Sequence, residues 1–127
     1  MKQSEHIEAF LDWVRECGTE YNIAMTNEQA AAEETQDLLH KLEIDETTYH
    51  EQAKISRALV TVRRERREAK DTVAILDPVV DWKKKNKTFL DSLEGLLGRV
   101  RKAEKDIEGR TYRPRTDIVE RTIGPQP

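Results

Sequence analysis

Seam positions recur along this chain at alternating steps of three and four residues, the spacing of helices that pack lengthwise. The first series runs Ile7, Phe10, Val14, Cys17, Tyr21, Ala24, Glu28, Ala31, Thr35, Leu38 and Leu42, with Leu11 and Leu39 widening it at the ends. An unbroken helix over that stretch would be roughly 55 Å long at 1.5 Å per residue. Its centre is small or polar (Ala24, Glu28, Ala31, Thr35), so the ends should grip a partner and the middle should be soft. Ser4 is placed to cap the first turn, with Glu5 and Glu8 favourable to the helix dipole. Thr26-Asn27-Glu28-Gln29 has the form of a second capping box, and Gly18 lowers helix propensity nearby. One long helix is nevertheless the simpler reading.

Glu43 to Thr48 forms the first boundary; Asp45 or Thr48 can cap a second helix, and Thr48 with Glu51 makes a capping box. The second series is Ile55, Leu59, Val62, Ala69, Val73, Leu76 and Val80, with Arg66 standing where an apolar residue belongs. Because proline is disfavoured inside a helix, Asp77-Pro78 predicts an end here and a short third helix to about Lys84. The repelling run Lys83-Lys84-Lys85-Asn86-Lys87 predicts a turn. Thr88 then opens a last helix striped by Phe89, Leu93, Leu96, Leu97, Val100, Ala103 and Ile107, with Gly109 at its C-cap. Beyond it, Pro114 biases Arg113 towards extended backbone, and the β-branched run to Ile123 ends in Gly-Pro-Gln-Pro. The expected fold is therefore all-α. Residues 1–109 form a long antiparallel helical hairpin or bundle with a short third and a fourth helix. Residues 110–127 form an extended basic tail.

Composition sharpens this picture at two points. With 37% charged against 36% hydrophobic residues, the 127-residue chain suits solvated helices better than a thick core. The net charge of −3 hides a split. Residues 1–53 carry 13 acids and 3 bases, whereas residues 54–127 carry 12 acids and 19 bases. Opposite halves can attract each other within a chain or between copies, and long seams on a small chain favour a homo-oligomer, with a dimer as the default. Cys17 is the single cysteine, so no internal disulfide can form. The first ten residues hold acids where a signal peptide needs an apolar core, and no apolar run reaches spanning length. The expectation is a cytoplasmic protein.

Three constellations could carry chemistry. Arg63, Arg66, Arg67 and Lys70 project from one side of the second helix, with Glu65 and Glu68 among them. Such a row is commonly a solvated, salt-bridged face. Arg66 at a seam position argues for more, because a buried guanidinium demands a carboxylate or phosphate. Glu28, Glu33 and Asp37 are the internal candidates. Next, Arg99, Arg101, Lys102, Lys105, Arg110, Arg113 and Arg115 surround Tyr112, which could stack on a base while guanidiniums hold phosphate. One aromatic suits a small nucleotide better than a long strand. The last is Glu33-Glu34-Thr35-Gln36-Asp37, which resembles half of the EExxE…ExxD metal pattern of all-α nucleoside triphosphate pyrophosphohydrolases, with Glu68 to Asp71 as the other half. Asp37 replaces a glutamate of that pattern, the gap to Glu68 is long, and arginines crowd the second half. Those guanidiniums oppose a hard cation. His6, His40 and His50 have no metal-ligand spacing, and no glycine-rich phosphate loop is present.

The segments TQDLLHKLE (35–43), RRERREAKD (63–71), LLGRVRK (96–102) and RTYRPR (110–115) resemble small helical proteins encoded by phages and prophages of Gram-positive bacteria. The resemblance implies an accessory or counter-defence protein in the host cytoplasm rather than a metabolic enzyme. Together with the basic clusters, it leads to the expectation of a non-enzymatic binder without cofactor or metal. It would sequester a nucleotide second messenger between subunits through Arg63, Arg66, Arg67, Lys70, Arg101, Lys102, Arg110, Tyr112, Arg113 and Arg115. The alternative expectations are a protein whose acidic first helix blocks a host factor such as a nucleic-acid-binding defence enzyme and, ranked below it, a magnesium-dependent all-α nucleotide pyrophosphohydrolase.

Overall fold

A computed structural model describes residues 1–110, and these are all helical apart from short connections. The expected tail, from residue 111 onward, lies outside the described residues. Helix α1 spans Gln3–Ile44, α2 spans Tyr49–Lys85 and α3 spans Lys87–Glu108.

Helix α1 is continuous over 42 residues, about 63 Å. The capping box at Thr26 does not form because its hydroxyl donates back to the Asn22 carbonyl at 3.0 Å. Thr35 does the same to Ala31 at 2.8 Å. At Gly18 a Cβ would meet only the Lys83 Nζ, at 3.5 Å, so nothing there forces a break. Ser4 is not the N-cap; Lys2 takes that position, and Ser4 is buried inside the first turn. At the next boundary the local signal is realised: the Thr48 hydroxyl accepts from the Glu51 N–H at 3.2 Å.

The expected end at Asp77-Pro78 is absent. Helix α2 runs through Pro78 to Lys85, so the described residues hold three helices rather than four. Proline removes the N–H that would meet the Ala74 carbonyl. Both Ala74 and Pro78 are exposed, so water can satisfy that carbonyl, while Leu76 and Val80 keep the helix seated on either side. The expected lysine turn shrinks to the single residue Asn86, whose φ of −118° and ψ of 31° make a corner between α2 and α3. Gly109 does hold the C-cap, but with φ −80° it uses no left-handed freedom.

Helices α2 and α3 both pack on α1, and contacts ascend along α1 as they descend along each of them. The core is thin: Leu11, Val14, Cys17, Ala24 and Ala31 from α1 meet Ile55, Leu59, Val62, Ala69 and Leu76 from α2 and Leu97 from α3. Alanine at 24, 31 and 69 supplies the buried positions at mid-length, so little apolar side-chain area is buried there.

The two return segments do not keep one register. Asp77 pairs with Tyr21 and Glu94 with Arg15, so seventeen residues of chain advance only six positions along α1. As helix, that is about 26 Å of chain against about 9 Å of α1. The surplus is taken up around the corner at Asn86, where α2 ends and α3 begins.

Helix α3 is rotated from its expected seating. The row that meets α1 is Leu90, Glu94, Leu97, Arg101, Glu104 and Glu108. Of the predicted core stripe, Leu97 is buried as expected, whereas Phe89, Leu93, Leu96, Val100, Ala103 and Ile107 form that same row moved back by one residue, about 100° around the helix. The reason is polar. Glu104 accepts from the Ser4 N–H at 3.1 Å and from its hydroxyl at 2.9 Å. Arg101 pairs with Glu8 at 2.9 Å, Glu94 with Arg15 at 3.6 Å, and Glu108 with Lys2.

Candidate functional site

Arg63, Arg66, Arg67 and Lys70 are all exposed, and none has an ion pair with a described residue. The expectation that Arg66 is buried in the seam is therefore corrected. Val62 and Ala69 fill the seam above and below it, and a long aliphatic stem lets the guanidinium reach water. Glu28, Glu33 and Asp37 form no ion pair with it. The second cluster is divided. Arg101 is committed to Glu8, while Lys102 and Arg110 are exposed. Tyr112, Arg113 and Arg115 lie outside the described residues.

At mid-length, Glu65 and Glu68 rather than arginines turn towards α1. With Glu20, Glu34, Ala24 and Ala31 they line an open cleft of about 570 Å³. Glu34 and Glu68 of the pyrophosphohydrolase-like pattern thus share one cleft, but Glu33, Asp37 and Asp71 do not line it. Among the described residues, no group of three or more His, Cys, Asp or Glu side chains is placed to hold a metal ion. Cys17 is buried; burial, followed by the charges of Glu20 and Glu16, pushes its thiol above the ordinary range.

A cleft of about 740 Å³ lies between α1 and the segments on either side of the Asn86 corner. Leu11, Val14, Val80 and Leu90 give it an apolar floor. Lys83, Lys84 and Lys87 line its wall together with Asp91 and Glu94, and none of the three lysines has an acid within 4 Å among the described residues. Their neighbour Lys85 points elsewhere, paired with Asp81 at 2.9 Å. Arg15 also lines the cleft but is held by Asp12 at 2.9 Å and Glu94 at 3.6 Å. At one end the Tyr21 hydroxyl donates to Asp77 at 3.2 Å. Partial burial and this bond raise the phenol's pKa. Asn22 adds an amide to the lining.

From sequence the lysine wall reads as a turn, because charge repulsion explains the run equally well. Its grouping into a cleft depends on the register surplus between α2 and α3, which has no local signature. Sequence reasoning also misses a chain of aromatic rings. Phe10 lies 6.1 Å from Trp13 and 6.4 Å from Trp82, and Trp82 lies 6.1 Å from Phe89, all centre to centre. All four rings are more than a third exposed. The available signal is that four of only seven aromatic residues fall at the two chain regions that flank the corner.

Fold and clefts place the chain among all-α proteins, and no helix among the described residues is long and apolar enough to cross a membrane. No family model, curated protein or solved structure matches it.

Proposed function

We propose that the protein is a non-catalytic binder of an anionic ligand, a phage-type accessory factor that sequesters a nucleotide second messenger. In this reading the helices form a long antiparallel hairpin whose return arm bends at Asn86, and the bend is the binding site. The observation that carries the reading is the wall of Lys83, Lys84 and Lys87, three ammonium groups without a carboxylate partner among the described residues, above an apolar floor. A nucleotide matches both parts. Its base would cover Leu11, Val14, Val80 and Leu90, and its phosphates would meet the lysines. Arg63, Arg66, Arg67 and Lys70 then act as a field that draws anions in and not as ligands. Lys102 lies about 22 Å along α3 from Lys87 and Arg110 farther still, so both join that field, while Tyr112, Arg113 and Arg115 remain candidates to meet a bound phosphate.

Calorimetry against a panel of linear and cyclic nucleotides tests this. Binding should weaken by about tenfold or more in Lys83→Ala and Lys87→Ala, and only slightly in Arg66→Ala. The ligand should be recovered unchanged. The reading is lost if no nucleotide binds, or if Arg66→Ala abolishes binding while the lysine variants retain it.

A second reading, a blocker of a host protein, is favoured by the exposed α2 row Arg63, Arg64, Arg66, Arg67 and Lys70, which lines none of the clefts described and suits an acidic protein surface. Capture of a stoichiometric acidic partner from host lysate, lost when the row is reversed to glutamate, would select it over the first.

A further inference from the structure

The α3 stripe Phe89, Leu93, Leu96, Val100, Ala103 and Ile107 has steps of four, three, four, three and four, the spacing of a seam between two helices. Within the chain only Leu93 and Val100 are half-covered, and the other four residues of the stripe are exposed. Phe89 is 51% exposed, Leu96 38% and Ile107 67%. Helix α3 spends its neighbouring row on α1, and its contact with α2 is slight. At the Phe89 end the stripe runs on without a gap into Trp82, Phe10 and Trp13.

We propose that this strip is the surface on which a second copy of the chain docks, α3 against α3 in antiparallel order about a two-fold axis near Gly98. Two features choose a second copy over another occupant. The stripe complements itself when reversed about residue 98. Phe89 then faces Ile107, bulky Leu93 faces small Ala103, and Leu96 faces Val100, which is the self-matching an isologous interface needs. The size also fits. The four rings expose 38%, 50%, 37% and 51% of their surface, roughly 350 Å² at about 200 Å² per aromatic residue. That alone is comparable with the largest apolar patch of a typical monomer, roughly 300–600 Å². With the aliphatic residues of α3 added, it approaches the roughly 800 Å² per partner of a stable complex.

Sedimentation equilibrium on the full chain tests the proposal. The expected result is a dimer at micromolar concentration. Leu96→Glu and Ile107→Glu should each weaken it by about tenfold or more, with helix content by circular dichroism unchanged. Ile75→Glu, at an equally open α2 position (72% exposed) away from the strip, should leave it intact. Orientation is read by cross-linking under oxidation. A mixture of Leu93→Cys and Ala103→Cys chains should form the mixed disulfide, and Ala103→Cys alone should not join to itself. A monomer at all concentrations, a dimer indifferent to both glutamate variants, or ready self-linking of Ala103→Cys would each overturn the antiparallel pair.

Discussion

Glu104 offers the most direct test of how α3 is held. Its carboxylate sits at the start of α1, where main-chain N–H groups have no partner within the helix and the macrodipole favours negative charge. It takes the Ser4 N–H at 3.1 Å and the Ser4 hydroxyl at 2.9 Å, and Ser4 is only 7% exposed. A hydrogen bond to a charged group contributes about 1.5–3 kcal/mol when buried, and an anion at a helix start about 0.3–1 kcal/mol. Glu104 itself is half-exposed, which screens both contributions, so the sum for Glu104→Ala is about 2 kcal/mol rather than the full total. Glu104→Gln keeps an acceptor oxygen and loses the charge, and should cost about 1 kcal/mol. In urea, at about 2 kcal/mol per molar, the alanine variant should move the midpoint down by about 1 M. Protein concentration must be held fixed, since association would add to apparent stability. Ser4→Ala combined with Glu104→Ala should show a coupling of about 1 kcal/mol. If Glu104→Ala shifts the midpoint by no more than a tenth of the expected amount, or the two changes simply add, the carboxylate is not the cap and the reason given for the rotation of α3 fails.

Tyr21, partly buried and donating to Asp77, has its phenol raised above the ordinary value near 10. The neutral form is favoured in the fold, so this contribution is complete below about pH 10 and lost as pH climbs through the raised value; Tyr21→Phe should flatten the alkaline fall in stability. An unaltered fall in the phenylalanine variant would show that other groups drive it. Cys17, raised by burial first and by Glu20 and Glu16 next, should react with an aromatic disulfide reagent only as fast as the helices open. Reaction at the speed of the urea-unfolded chain would contradict its burial. Pro78→Ala should stabilise α2 by about 1–2 kcal/mol in urea unfolding, part of the roughly 3 kcal/mol by which proline is worse than alanine inside a helix. A loss instead would mean that the pyrrolidine ring against Phe10 and Trp13 is worth more than the missing hydrogen bond.

How much of the fold is legible in the sequence depends on the range of each interaction. The Thr48 cap is legible because it is decided within one turn, and the unbroken α1 because its seam spacing runs on through the local break signals at Gly18 and Thr26. Pro78 misleads because its cost is also local, whereas the contacts that override it, Leu76 and Val80 on α1, lie in another segment. Arg66 misleads for a related reason. Spacing says which Cα faces the seam, but a long, flexible side chain decides for itself where its charge ends. The rotation of α3 is not legible at all. Its two rows have identical spacing one residue apart, and hydrophobicity alone favours the row that is left open. Only the polar residues at Lys2, Ser4, Glu8 and Arg15, some ninety residues away in sequence, tip the choice.

Those same polar contacts connect the cleft to the open strip. Fastened to the start of α1 by Glu104 and its neighbours, α3 cannot slide along to match the register that α2 has set at Tyr21. The mismatch has to be absorbed between them, and Asn86 is where helix geometry gives way, so a cleft opens beneath the corner with the corner's own lysines on its wall. Surface ion pairs contribute little, about 0–1 kcal/mol each, and Leu97 is the one buried apolar side chain that α3 contributes. Helix α3 is therefore the least firmly held of the three, while it carries the best apolar seam in the chain. Covering that seam would anchor α3, and with α3 the angle at Asn86 that sets the width of the lysine cleft. Were the chain to pair and to bind an anion as proposed, the two events would be linked through one corner, each favouring the geometry the other requires.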